Sequence, residues 1–82
     1  MTQIIGGKEY ADQKRPLIVE LAYDGSDNLE YVGQSLPGNA TSAATWKIMK
    51  LFYTGSNLTE VLLADGGNFT QVWDDRTGLS YS

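Results

Sequence analysis

Residues 46–65, WKIMKLFYTGSNLTEVLLAD, constrain this chain most, because they hold two apolar runs joined by Gly55-Ser56-Asn57. In the first run Trp46, Ile48 and Phe52 fall on one side of a two-residue alternation, and Lys47, Met49, Leu51 and Tyr53 fall on the other. That is the period of a strand, whose successive side chains point to opposite faces. The second run sets Leu58, Leu62 and Ala64 against Val61 and Leu63. The Gly-Ser-Asn triplet supplies the small, conformationally permissive residues on which paired strands reverse. The stretch therefore predicts a β-hairpin.

A second hairpin precedes it. Residues 17–24 alternate cleanly, with Leu17, Val19, Leu21 and Tyr23 on one face and Ile18, Glu20, Ala22 and Asp24 on the other. The turn residues Gly25-Ser26-Asp27-Asn28 follow, and residues 29–34 read as the returning strand. Two such hairpins are the natural halves of a small sandwich or meander. Between them, residues 35–45 are small and polar with Pro37-Gly38 as a turn signal, so this link is expected to cross the sheet or run along an edge. After Asn68 the period changes: Phe69, Val72, Trp73 and Arg76 recur at helical spacing, and Asn68 with Gln71 has the layout of a capping box. Residues 69–75 are thus expected to form a short helical turn, with residues 77–82 returning as a last strand. The fold class predicted is all-β: a small antiparallel β-sandwich or barrel of about six strands with a short C-terminal helical turn. Residues 17–82 form a single β domain and residues 1–16 an N-terminal arm or edge strand. Trp46, Ile48, Leu51, Phe69 and Trp73 are expected to form the core.

A chain of 82 residues buries a smaller fraction of its surface than a larger domain does, and without cysteine it has no disulfide to compensate. Association with other chains is the remaining aid. Self-assembly is therefore expected, with Ile4, Ile5 and Tyr10 of the arm, or the free edges of the hairpins, as contact residues. The net charge of −4, from ten acids and six bases, offers no basic patch for a phosphate backbone and argues against nucleic-acid binding. The opening MTQIIGGKEY lacks the basic start and continuous apolar core of a signal peptide, and no run reaches transmembrane length, so no membrane attachment is expected. On the same ground the sequons at Asn39, Asn57 and Asn68 are expected to stay unmodified.

Reactive chemistry is sparse. Histidine is absent, which removes the commonest general base near neutral pH and, together with the lack of cysteine, the usual soft metal ligands. Asp74 and Asp75 are adjacent carboxylates, but sequence neighbours point apart, and beside Arg76 a solvated face or an arginine pair is the simpler reading than a general acid and base. Asp24, Ser26, Asp27, Asn28 and Glu30 crowd oxygen atoms as calcium requires. Their spacing lacks the central glycine and final acid of the twelve-residue calcium loop, and such turns arise simply because Asx side chains cap their own backbone. Trp46, Phe52, Phe69, Trp73 and the five tyrosines make a stacking platform for sugars or bases only if two stand exposed side by side. No nucleophile has a base at hand, and Gly66-Gly67 lacks the lysine and hydroxyl residue of a phosphate loop. No catalytic, cofactor-binding or metal-binding residue is assigned, and the protein is not expected to be an enzyme.

One further pattern runs through the chain. It begins with Tyr31-Val32-Gly33, Pro37-Gly38 and the small stretch Ala40-Thr41-Ser42-Ala43-Ala44, and goes on to Trp46, Ile48 and Lys50. It continues through Ala64-Asp65-Gly66 and closes on Val72-Trp73-Asp74-Asp75-Arg76, Leu79, Ser80 and Tyr81. This ordered set resembles a family of small virion-associated structural proteins of tailed bacteriophages, over residues 29–82. It departs at Leu63, where that family usually carries an aromatic, and at Gly67, which shortens a polar insert. The resemblance implies a non-enzymatic structural component of the virion, made in the cytoplasm of the host bacterium. Its partners would be other virion proteins and copies of itself, in a homo-oligomer of trimeric or hexamer-related symmetry. A tail or fibre-attachment protein is the first expectation and a capsid decoration protein the alternative. A carbohydrate-binding module contacting the host surface is the alternative of a different class.

Overall fold

The structure, a computed structural model, describes residues 16–82; Ile4, Ile5 and Tyr10 lie outside the described residues. The domain is all-β and antiparallel. Four strands, β1 (Ile18–Tyr23), β2 (Leu29–Ser35), β3 (Ala44–Thr54) and β4 (Asn57–Leu63), form a meander in which each pairs with the next. The two hairpins therefore share one sheet, with β2 and β3 at its centre. In the first turn the Asp24 amide donates to Asn28 O at 2.9 Å, and the Asp27 amide donates to Asp24 O at 3.1 Å. The second turn is the two-residue loop Gly55-Ser56 between paired Thr54 and Asn57. Gly55 has a φ of 64°, the left-handed conformation that the first position of so tight a hairpin turn requires.

The link between the hairpins neither crosses the sheet nor follows its edge. It curls at one end of the central strands and is tied there by side chains. Ser35, fully buried, donates its hydroxyl to Thr45 O at 2.8 Å and accepts from Asn39 Nδ2 at 2.8 Å. Trp46 Nε1 donates to Ala40 O at 2.9 Å. These bonds hold the link against the strands on either side of it, which makes β2 and β3 neighbours.

Beyond Leu63 the chain leaves the sheet and returns. The Ala64 amide donates to Ile48 O at 3.0 Å, Asp65–Gly67 makes a 3-10 turn, and β5 (Gln71–Val72) then pairs with Ala44 and Trp46 of β3. β5 thus resumes the lane along β3 that β4 has left. A second 3-10 turn, Trp73–Gly78, leads over the inner face, and the tail closes with a Tyr81–Ala64 bridge and two Leu63–Ser82 backbone bonds. The helical turn expected over residues 69–75 is corrected by this. Gln71 and Val72 are extended, the turn is of 3-10 type and starts at Trp73, and Asn68 is no N-cap: its backbone is extended and its amide closes the preceding Asp65–Gly67 turn by donating to Asp65 O. An open lane beside Ala44 and Trp46 satisfies the backbone of Gln71 and Val72 better than an isolated helical turn, which carries the full cost of nucleation. The last strand expected is a single bridge.

The core lies on the inner face, where Tyr31, Trp46, Ile48, Ala64 and Trp73 are buried and Ile18, Ala22, Leu79 and Tyr81 pack around them. The Trp46 and Trp73 rings meet at 6.1 Å with a 40° tilt, and the Arg76 guanidinium stands 4.7 Å from the Trp73 ring centroid. Trp73 rests on Gly33. A Cβ at that position would stand 2.4 Å from Trp73 Cε3, so β2 admits no side chain there. Two residues expected in the core lie elsewhere. Leu51 alternates to the outer face, where it is half-buried, and Phe69 is 47% exposed because it sits on the detour that precedes β5.

Two measurements follow from this packing. Gly33→Ala is expected to lower stability by about 1–3 kcal/mol, the usual cost of forcing a methyl group into a filled site, read as a reduced urea midpoint. Tyr81 donates its hydroxyl to Arg76 O at 2.7 Å, and burial first, then the neighbouring Tyr31, push its pKa from 10.0 up to about 12 against the opposing pull of Arg76. A phenol whose pKa is raised by folding contributes stability that is complete below pH 10 and is lost as the pH rises from 10 to about 12. The stability gap between the parent chain and Tyr81→Phe is therefore expected to be constant below pH 10 and to shrink through that window in urea titrations.

Candidate functional site

The sheet has an outer face, and among the described residues it is open except at one corner, where Gly67 approaches Leu63 and Lys47. Strand register arranges its side chains in rows. Leu21, Val32, Met49 and Leu63 form one row across all four strands. Val19, Gln34 and Lys47 form the row on one side of it, and Leu51 with Val61 lies on the other, toward Tyr23. Leu17, Leu36 and Phe69 carry the apolar surface to the end of the sheet, around a hollow of about 480 Å³ that Asn39 and Thr45 also line.

A bulge between Phe52 and Tyr53 changes the faces that simple alternation assigns to β4. Glu60 stands opposite Phe52 but Leu58 stands opposite Tyr53, so Leu58 joins Val61 on the outer face and parts from Leu62. With Leu58 so placed, every exposed large hydrophobic residue among the described ones belongs to this face or its rim. β1 shows the imbalance most sharply. Its Val19, Leu21 and Tyr23 are 50%, 48% and 59% exposed, while Ile18, Glu20 and Ala22, the less apolar set, turn inward. This apolar surface makes the outer face the candidate interaction site of the described residues.

The other candidates resolve into structural roles. Asp24 Oδ1 accepts from the Ser26 amide at 2.8 Å and the Asn28 amide at 3.0 Å, and Asp27 takes a φ of 66°, so the acidic loop is a self-capped turn. Among the described residues no group of three or more His, Cys, Asp or Glu is placed to hold a metal ion. Asp74 and Asp75 are exposed on the second 3-10 turn, and Arg76 beside them gives its Nη1 proton to Trp73 O at 3.2 Å. Trp46 and Trp73 are buried. The exposed aromatics among the described residues, Tyr23 and Phe69, lie toward opposite ends of β1, roughly 20 Å apart at the strand rise, and do not form a side-by-side pair.

Sequence reasoning does not single out Leu21, Val32 or Met49, which form the middle of the open face. A signal for them was present: Leu17, Val19, Leu21 and Tyr23 are more apolar than a solvated strand face needs to be. Comparison with known protein-family models, with characterised proteins and with solved structures finds no match for this chain.

Asp24→Ala is expected to cost about 1 kcal/mol through loss of the two turn bonds. Neither calcium nor a chelator is expected to move the melting temperature of the parent chain, and a calcium-dependent rise would reinstate the loop as a metal site.

Proposed function

We propose that this protein is a non-enzymatic structural component of a tailed-phage virion, held in the particle by subunit contacts made through the outer face of its sheet. The observation that carries the assembly reading is the segregation of the exposed large hydrophobic residues onto that one face, opposite the face that holds the core. Covering such a surface removes apolar area from water at roughly 25 cal/mol per Å², without any rearrangement of the sheet. The phage setting rests on the resemblance of residues 29–82 to small virion proteins. Those motifs map onto the frame: Gly33, Trp46 and Trp73 meet in the core, and Pro37-Gly38 lies in the tied link.

Within the particle we favour a tail or fibre-attachment position, with capsid decoration as the second reading. Tail components follow threefold or sixfold tail symmetry, whereas decoration proteins sit over capsomer junctions, so an image of the virion separates the two. The experiment for the assembly reading is incorporation. Particles from the host that carries this gene are expected to contain the chain by mass spectrometry. The double variant Leu21→Lys, Val61→Lys is expected to keep its urea stability within about 0.5 kcal/mol, as exposed positions do, yet to be missing from purified particles. Normal incorporation of a folded double variant overturns the reading.

A further inference from the structure

We infer that the occupant of the outer face is a second copy of this chain, packed sheet against sheet about a twofold axis, so that two single-sheet domains complete one sandwich. This rests on the assembly reading above and names its partner.

Area is the first support. Four strands about 4.8 Å apart, over a length of about 24 Å, give a projected footprint of about 450 Å² per copy. The pair encloses twice that in projection, and the relief of protruding Leu, Val and Tyr side chains carries the accessible area into the range of roughly 1,200–2,000 Å² that specific interfaces bury. Shape is the second. The face is an ordinary antiparallel sheet surface of the kind that stacks on another at about 10 Å with a small angle between strand directions.

Charge is the third, and it selects a copy over a partner of opposite sign. The chain carries −4 overall, yet among the described residues the acids are largely kept off this face: Asp24, Asp27, Asp65, Asp74 and Asp75 sit on turns, and Glu20 and Glu60 alternate inward. Lys50 and Arg76 stand over the inner-face rings of Phe52 and Trp73, so among the described charged residues what remains is Lys47 toward one end of the face and Glu30, at the β1–β2 bulge, toward the other. The face is therefore neutral and its two charges are complementary under a twofold rotation. An axis along the Leu21–Val32–Met49–Leu63 row exchanges the two ends and brings Lys47 of one copy over the Glu30 end of the other, while Val32 and Met49 meet their own counterparts.

The test is the mass of the full chain in solution by sedimentation and light scattering over a range of concentration. A concentration-dependent dimer is expected, and Leu21→Lys is expected to abolish it. Lys47→Glu and Glu30→Lys are each expected to raise the dimer Kd about tenfold, and the combined swap to restore it, an outcome that damage to the fold does not produce. A monomer at every soluble concentration, or a dimer indifferent to Leu21→Lys and to both swaps, overturns the second copy as occupant. The incorporation assay is independent of that result: a monomer whose face variants still fail to enter particles leaves the assembly reading standing with a different subunit on the face, whereas face variants that enter normally remove the reading itself.

Discussion

Trp73 packs against a bare stretch of backbone at Gly33, and the rest of the molecule depends on that contact. An indole needs a broad apolar bed to be buried, and a pleated sheet offers one only where a side chain is missing. Gly33 provides the gap in the middle of β2, Trp46 closes it from β3, and Ala64 and Ile48 complete the enclosure. Once Trp73 is seated, the residues on either side of it are committed. Val72 must arrive along the free lane of β3, and the chain after Gly78 must come back past Tyr31 to reach Ala64. A segment without a regular helix is in this way folded over the sheet by one large ring and a few backbone bonds.

Seating the ring also decides which side of the sheet is inside. β1 pairs with β2 so that Glu20 is opposite Gly33, which commits the Ile18, Glu20, Ala22 side of β1 to the tryptophan layer. Its richer apolar side is then left outward. Taken alone, β1 would be more stable the other way round. The sheet accepts the cost because the pairing register carries the whole strand with it, and a one-residue slip would reverse every side chain together. The protein consequently presents a finished core on one side and an unfinished one on the other. The polar link is bound tightly to the sheet end through Ser35, Asn39 and Thr45, so it does not fold across the open side.

This asymmetry is the physical basis of the assembly reading proposed above. The carboxylates that draw attention in the sequence sit on turns, the indoles are buried in packing, and the outer face left over among the described residues is largely apolar. A surface of that type is suited to contact with another apolar surface. Among the described residues its centre carries no charged side chain, and in the proposed dimer two chains of net negative charge would meet there without like charges opposed.

Much of the frame is legible in the sequence because strand alternation and turn chemistry are local properties. Residues 17–24, 29–34 and 46–65 announce their strands through a period of two, Gly55-Ser56 announces its turn, and the absence of histidine and cysteine narrows the chemistry before any fold is known. Tertiary structure alone decided the rest. Alternation gives each strand two faces but does not say which is inward; that choice came from Gly33 meeting Trp73, residues distant in sequence. The bulge that carries Leu58 outward and the detour that exposes Phe69 are adjustments to neighbouring strands, and the helical spacing after Asn68 yielded to an open lane beside β3. Local pattern set the pieces, and long-range packing set their orientation, because the free energy of burying a side depends on what the other strands bring to it.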